Sequence, residues 1–171
     1  MTRASIAARV AALLVLLAIT AYALQRFVAR PMRCVYAATI GAAELDARGQ
    51  RRDASTLQLA GRLRTSLRDC DCVSPPDARI FLTRGGAAEV LGQPGVAIGD
   101  YRRALAIDHR PELYFNLGLA QLDALDRAGA IDSLVAACAF DPARLADIPY
   151  DEIRAETKRR LVERYGAGWI R

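Results

Sequence analysis

Five pairs of residues near the middle of this 171-residue chain share one offset. Phe81 and Tyr114 stand 33 positions apart, as do Gly85 and Gly118, Ala97 and Ala130, Ala104 and Ala137, and Asp108 and Asp141. A period of that length marks a supersecondary unit that stacks on copies of itself. Turn residues divide each unit into two helices, over 79–91 and 96–107 in the first copy and over 112–124 and 127–140 in the second. The composition agrees. With 33 alanines, 6% aromatic residues and few β-branched clusters, the chain reads as all-α.

The second copy carries Tyr114, Leu117, Gly118 and Gln121 on its first helix, then Ala130, Leu134 and Ala137 on its second, and ends in Asp141-Pro142. The first carries Phe81, Arg84, Gly85 and Ala88, then Ala97, Tyr101 and Ala104, and ends in Asp108-His109. Small residues at 85, 97, 118 and 130 let paired helices approach, while Tyr101, Tyr114, Leu117 and Leu134 fill the layer between units. In this spacing the chain resembles the tetratricopeptide repeat (TPR) family over Arg79 to Pro142. It departs from that pattern at Arg84, where leucine is expected, and at His109, where proline is usual. Leu125 and Arg127 also replace the small or aromatic residues of the turn.

The resemblance implies an α-solenoid whose first helices line a concave, protein-binding surface. Mapped onto this chain, that surface comprises Leu82, Glu89 and Val90 from the first copy, and Glu112, Phe115, Asn116, Leu119, Leu122 and Asp123 from the second. Phe115, Leu119 and Leu122 lie at helical spacing. Such a stripe either packs on the chain's own neighbouring helix or stays open as a groove for a peptide or amphipathic helix. The lysine and asparagine constellation with which some members clamp a C-terminal carboxylate is missing, since Asn116 alone does not make it.

Two repeats alone leave an apolar face, so other helices must cap them. A hairpin is predicted from Cys34 to Ala47 and on to Leu67, with Asp53 or Ser55 capping its second helix. Ile40-Gly41 and Glu44 echo the first-helix motif at an offset of 44, which makes the hairpin a degenerate third copy or an N-terminal cap. Antiparallel packing would bring Cys34 near Cys70 and Cys72. A disulfide from Cys34 to one of them is one reading, and three unrelated thiols are the other. A bridge would place the domain in an oxidising compartment. These cysteines lack the paired spacing of a structural zinc site. Cys138, in an apolar helix, reads as a packing residue. At the far end, 151–165 predicts an amphipathic capping helix with Asp151 as N-cap and Ile153, Leu161 and Tyr165 inward. Its Lys158, Arg159, Arg160 and Arg164 read as a solvated face near a helix C-terminus.

Val10 to Leu24 carries no charge and follows a short basic stretch, so it is a membrane-targeting element. Residues 6–28 can span a bilayer, with Arg9 and Arg26 reaching for the interfaces. Ala21-Tyr22-Ala23 also has the small-x-small form of a cleavage site, which would release a soluble protein starting at Leu24. Because the apolar character runs on through Phe27 and Val28, we take the segment as an uncleaved anchor. Arg3 and Arg9 on one flank face Arg26, Arg30 and Arg33 on the other, so charge does not set the orientation.

Beyond position 33 the chain holds 19 basic and 19 acidic residues, a neutral domain. A nucleic-acid binder would concentrate positive charge on its folded part, so none is expected. The single histidine, His109, falls in an inter-repeat turn with no serine or cysteine to activate. Gly85-Gly86 lies inside a predicted helix and Gly92 to Gly95 forms a tight turn, so neither is a phosphate loop. No catalysis, metal, cofactor or small-molecule substrate is expected. Four parts result: a signal-anchor over 1–30, a helical hairpin over 31–77, two repeats over 78–142, and a capping helix over 143–171. The chain thus reads as a single-pass bacterial inner-membrane protein with its soluble domain in the periplasm, a non-catalytic adaptor or assembly factor for a protein partner. A secreted repeat protein and a permanent accessory subunit of a larger membrane complex are the alternatives.

Overall fold

The computed structural model describes residues 3–49, 52–71, 75–166 and 168, with side chains from Arg9 onward. Helices are the only regular elements among them. They are α1 (Arg3–Leu24), α2 (Arg30–Arg48), α3 (Ala54–Arg68), α4 (Ala78–Val90), α5 (Pro94–Leu105), α6 (Pro111–Asp123), α7 (Arg127–Phe140), a single turn α8 (Arg144–Asp147) and α9 (Asp151–Tyr165). The spans of α4 to α7 lie within two residues of those read from the period.

Near residue 30, where the anchor segment meets the hairpin segment, the helix continues without a break. A π-helical turn, Gln25–Ala29, joins α1 to α2, and Leu24, Ala29 and Arg30 all keep helical dihedrals. The Arg30 N–H donates to the Gln25 carbonyl. Pro31 supplies the physical reason. It has no N–H to donate, and its ring crowds the carbonyl four residues back. Widening the helix by one residue just before the proline accommodates both defects. The result is one rod roughly 70 Å long. Its N-terminal part is long and apolar enough to cross a membrane. Leu13, Leu14, Val15, Leu16 and Leu17 are each more than half exposed, so no other described residue covers them. Past the proline the rod turns amphipathic, burying Cys34, Ala38, Gly41 and Leu45 at helical spacing.

From α2 to α7 each helix packs on the next in sequence, α4 also packs on α2 and touches α6, and α9 closes over α7. Glycine makes the close approaches. A Cβ on Gly85 would sit 2.5 Å from the Tyr101 ring, one on Gly118 would sit 2.7 Å from Leu134 Cγ, and one on Gly41 would run into Leu63. Ala97, Ala104, Ala130 and Ala137 are fully buried opposite them. The Thr83 hydroxyl donates to the Ala38 carbonyl at 3.0 Å and pins α4 to α2.

A Cys34–Cys70 disulfide, with Cα atoms 5.8 Å apart, ties the start of α2 to the end of α3. Cys72 lies outside the described residues. Cys138 is a buried free thiol in the α7 core, pushed up to about 11 by that burial. Asp53 caps α3, accepting from the Thr56 N–H at 2.8 Å, and this bond with that of Ser55 holds its carboxyl down at about 2.

At α9 two sequence expectations shift. Tyr150 is the N-cap, because its carbonyl already accepts from the Arg154 N–H at 2.9 Å. Asp151 lies one residue inside, in the first turn, paired with Arg154 at 2.9 Å. The buried side is Ile153, Thr157 and Leu161, whereas Tyr165 is exposed beside the Arg164 guanidinium at the helix end.

Two of the four departures from the repeat motif, Arg84 and Leu125, have a clear structural consequence. Arg84 is buried where leucine was expected, and its guanidinium grips Asp100 through two bonds at 2.5 and 2.9 Å. It also pairs with Asp71 and stacks 5.2 Å from the Phe81 ring centre. Leu125 adopts φ +63° at the turn between α6 and α7, the same left-handed conformation that Gly92 (φ +68°) provides in the turn between α4 and α5.

Candidate functional site

Three helices that begin successive hairpins, α2, α4 and α6, share the wall of a groove of about 870 Å³. Seven of the nine residues predicted for the concave surface line it: Leu82, Glu89, Val90, Glu112, Asn116, Leu119 and Asp123. Phe115 and Leu122 do not. Phe115 is 6% exposed in a core with Ile131, Leu134, Ile148, Ile153 and Leu161, and Leu122 packs against the same cluster. The C-terminal elements cover this end of the stripe. Arg144 of α8 lays its guanidinium over the Phe115 ring, 5.6 Å from the centre. Of the predicted stripe only Leu119 still reaches the groove.

Sequence reasoning missed the wall made by α2, namely Ala42, Leu45 and Asp46. The signal was present. Adding the 44-residue offset to these three gives Gly86, Glu89 and Val90, all of them groove positions of α4. Arg52 from the turn between α2 and α3, Arg144 of α8, and Pro149 and Tyr150 from the turn before α9 also line it. Pro149 and Tyr150 could not be placed by period, because the capping segment does not repeat.

Glu89 forms the polar centre. It sits in the last turn of α4, half-buried, and accepts a hydrogen bond from the Tyr101 hydroxyl of α5 at 2.7 Å. Burial pushes its carboxyl up to about 7; the Tyr101 bond pulls it down, and the Asp123 charge of α6 pushes it further up. Arg52 stands on the rim and lowers it, although its hydrogen bond goes to the Glu89 backbone carbonyl at 3.3 Å. Burial beside this carboxylate raises the Tyr101 hydroxyl well above its ordinary value, so it stays a donor. Glu112 is neutralised by Arg110 at 2.7 Å.

Among the described residues no three His, Cys, Asp or Glu side chains gather as a metal-ligand set. His109 lies elsewhere, at the turn before α6, with Nδ1 3.0 Å from the Tyr114 hydroxyl. Comparison with protein-family models, curated proteins and solved structures finds no match to this chain.

Proposed function

We propose that this chain is a membrane-tethered, non-catalytic adaptor built as a TPR-type solenoid, which holds a segment of a partner protein in its groove on the periplasmic side. The observation that carries the reading is the convergence of groove residues from three hairpins on one concavity. Two further points support the solenoid. Gly41, Gly85 and Gly118 each face the second helix of their own hairpin at closest approach, so α2 with α3 behaves as a third, degenerate unit. Cluster by cluster, the buried residues also run continuously from the disulfide end to α9.

The continuous α1–α2 rod favours an anchor over a cleaved leader. A protease must unwind its substrate, and Ala21 to Ala23 lie inside an unbroken helix. The Cys34–Cys70 bridge supports an oxidising compartment for the domain. A permanent accessory subunit is less favoured, because Phe115 and Leu122 are covered within the chain and leave no large apolar stripe to bury.

In-cell photo-crosslinking tests the reading. A photoreactive residue at Asn116, in the groove, should give a discrete adduct that the same residue at Arg102, exposed on α5, does not give. Identical patterns from both positions, or none from either, would overturn a partner-binding groove.

A further inference from the structure

The acids of this chain are mostly neutralised. Of its 19 acidic residues, 12 make ion pairs with arginine among the described residues, and Asp53 and Asp126 are occupied as helix caps. Asp46, Glu89 and Asp123 have no cationic side chain on their carboxylates among the described residues, and all three line the groove. Glu44, exposed on α2, and the capping carboxylates of Asp53 and Asp126 also have no arginine or lysine paired with them among the described residues. In a domain whose charges balance overall, three carboxylates without an arginine or lysine partner among the described residues are thus gathered in one concavity. Its walls beside the acids are apolar: Leu45, Leu82, Val90 and Leu119. Among the described residues two arginines line the groove: Arg52, which hydrogen-bonds the Glu89 backbone carbonyl, and Arg144, which is paired with Asp141 and Asp147.

We infer that the groove takes a basic segment of the partner, with an arginine or lysine head group entering between Glu89 and Asp123 and its methylene stem lying along Leu82, Val90 and Leu119. This rests on the groove being the partner site. An ammonium or guanidinium group meets its counter-charges in a partly desolvated concavity, where such pairing is strong. The apolar walls match the stem of a long cationic side chain. The same field repels acidic peptides and anionic lipid head groups. Tyr101 positions Glu89 by donating to it. Three charged or titratable groups act on the Glu89 carboxyl, Arg52 of the turn after α2, Tyr101 of α5 and Asp123 of α6, while Asp46, Glu112 and Arg144 line the same groove. Entry of a cation lowers the proton affinity of Glu89, so binding tightens as pH rises from about 6 to about 8 around its value of about 7.

The test pans displayed random peptides against the full-length protein in phosphatidylcholine nanodiscs. Selected peptides should carry arginine or lysine among apolar residues. Their affinity should fall at least about tenfold in Asp123→Asn, whose exposed site does not endanger folding, and in Glu89→Gln, which keeps the Tyr101 bond. Replacing the selected arginine by citrulline should cost the same. Selected peptides that are neutral or acidic, yet are blocked by Asn116→Trp, would overturn the basic-partner inference while leaving the groove reading intact. Peptides indifferent to Asn116→Trp would overturn both. Displacement of the peptide by spermine at far lower concentration than any peptide requires would replace it with a polyamine site.

Discussion

Arg84 and Asp100 offer the sharpest perturbation of the fold. Their side chains are 8% and 6% exposed, and they are joined by two hydrogen bonds at 2.5 and 2.9 Å. Burial pulls the Arg84 guanidinium down, but the Asp100 and Asp71 carboxylates more than offset it, so the arginine stays charged. Arg84→Leu restores the residue the repeat pattern expects and would stabilise the helix layer if apolar fit alone decided. It does not, because the substitution strands the Asp100 carboxylate in the core. Breaking one side of a buried pair costs about 3–5 kcal/mol. With a urea slope of about 2 kcal/mol per M, the midpoint should drop by roughly 1.5–2.5 M. The double variant Arg84→Leu/Asp100→Ser imports the pair that the second copy uses at the same positions, Leu117 and Ser133. Removing both charges together should bring stability back to within about 1 kcal/mol of the parent or above it. Urea unfolding of the full chain in nonionic detergent, followed by circular dichroism, measures both. If Arg84→Leu leaves the midpoint unchanged, or the double variant is no better than the single, the buried pair is not what holds α4 to α5.

Gly118→Ala should destabilise by about 1–2 kcal/mol net, overpacking against Leu134 outweighing the gain in helix propensity, whereas Gly61→Ala, with open space around it, should stabilise by about 0.5–1 kcal/mol. The same urea titration compares them, and equal signs would refute the close-approach argument. Leu125→Gly should raise stability by about 1 kcal/mol, since its side chain is 91% exposed and its backbone is left-handed; a lower thermal midpoint would refute this. Glu89 is raised in the folded protein, so its contribution favours folding at low pH and is lost as pH climbs from about 4.5 to about 7. The loss amounts to roughly 3 kcal/mol, and Glu89→Gln should remove that part of the pH dependence. Parallel pH–stability curves for the two proteins would contradict the assignment.

Most of the helical layout was legible because the 33-residue period fixes several positions per helix at once. Gly85 and Gly118 sit at closest approach, as small residues at those spacings require. What escaped was whatever one period cannot encode. Phe115 corresponds to Leu82, yet one is core and the other groove, because only the last unit is roofed by α8 and α9. The α2 wall escaped because its offset is 44 rather than 33, an insertion that interrupts the periodic signal. The continuity of the helix past residue 30 was not legible, since proline usually ends a helix and here a π-helical turn absorbs Pro31. Arg84 looked like a defect in the motif until Asp100 and Asp71, distant in sequence, supplied its counter-charges.

We propose a groove-bearing domain held to a membrane on its oxidising side. Intact mass of protein extracted from native membranes, with and without thiol alkylation under denaturing conditions, addresses anchor and compartment together. The expected result is a full-length chain in which Cys72 and Cys138 react while Cys34 and Cys70 are blocked until reduction. A mass beginning at Leu24, or a full-length chain with all four thiols reactive, would contradict it.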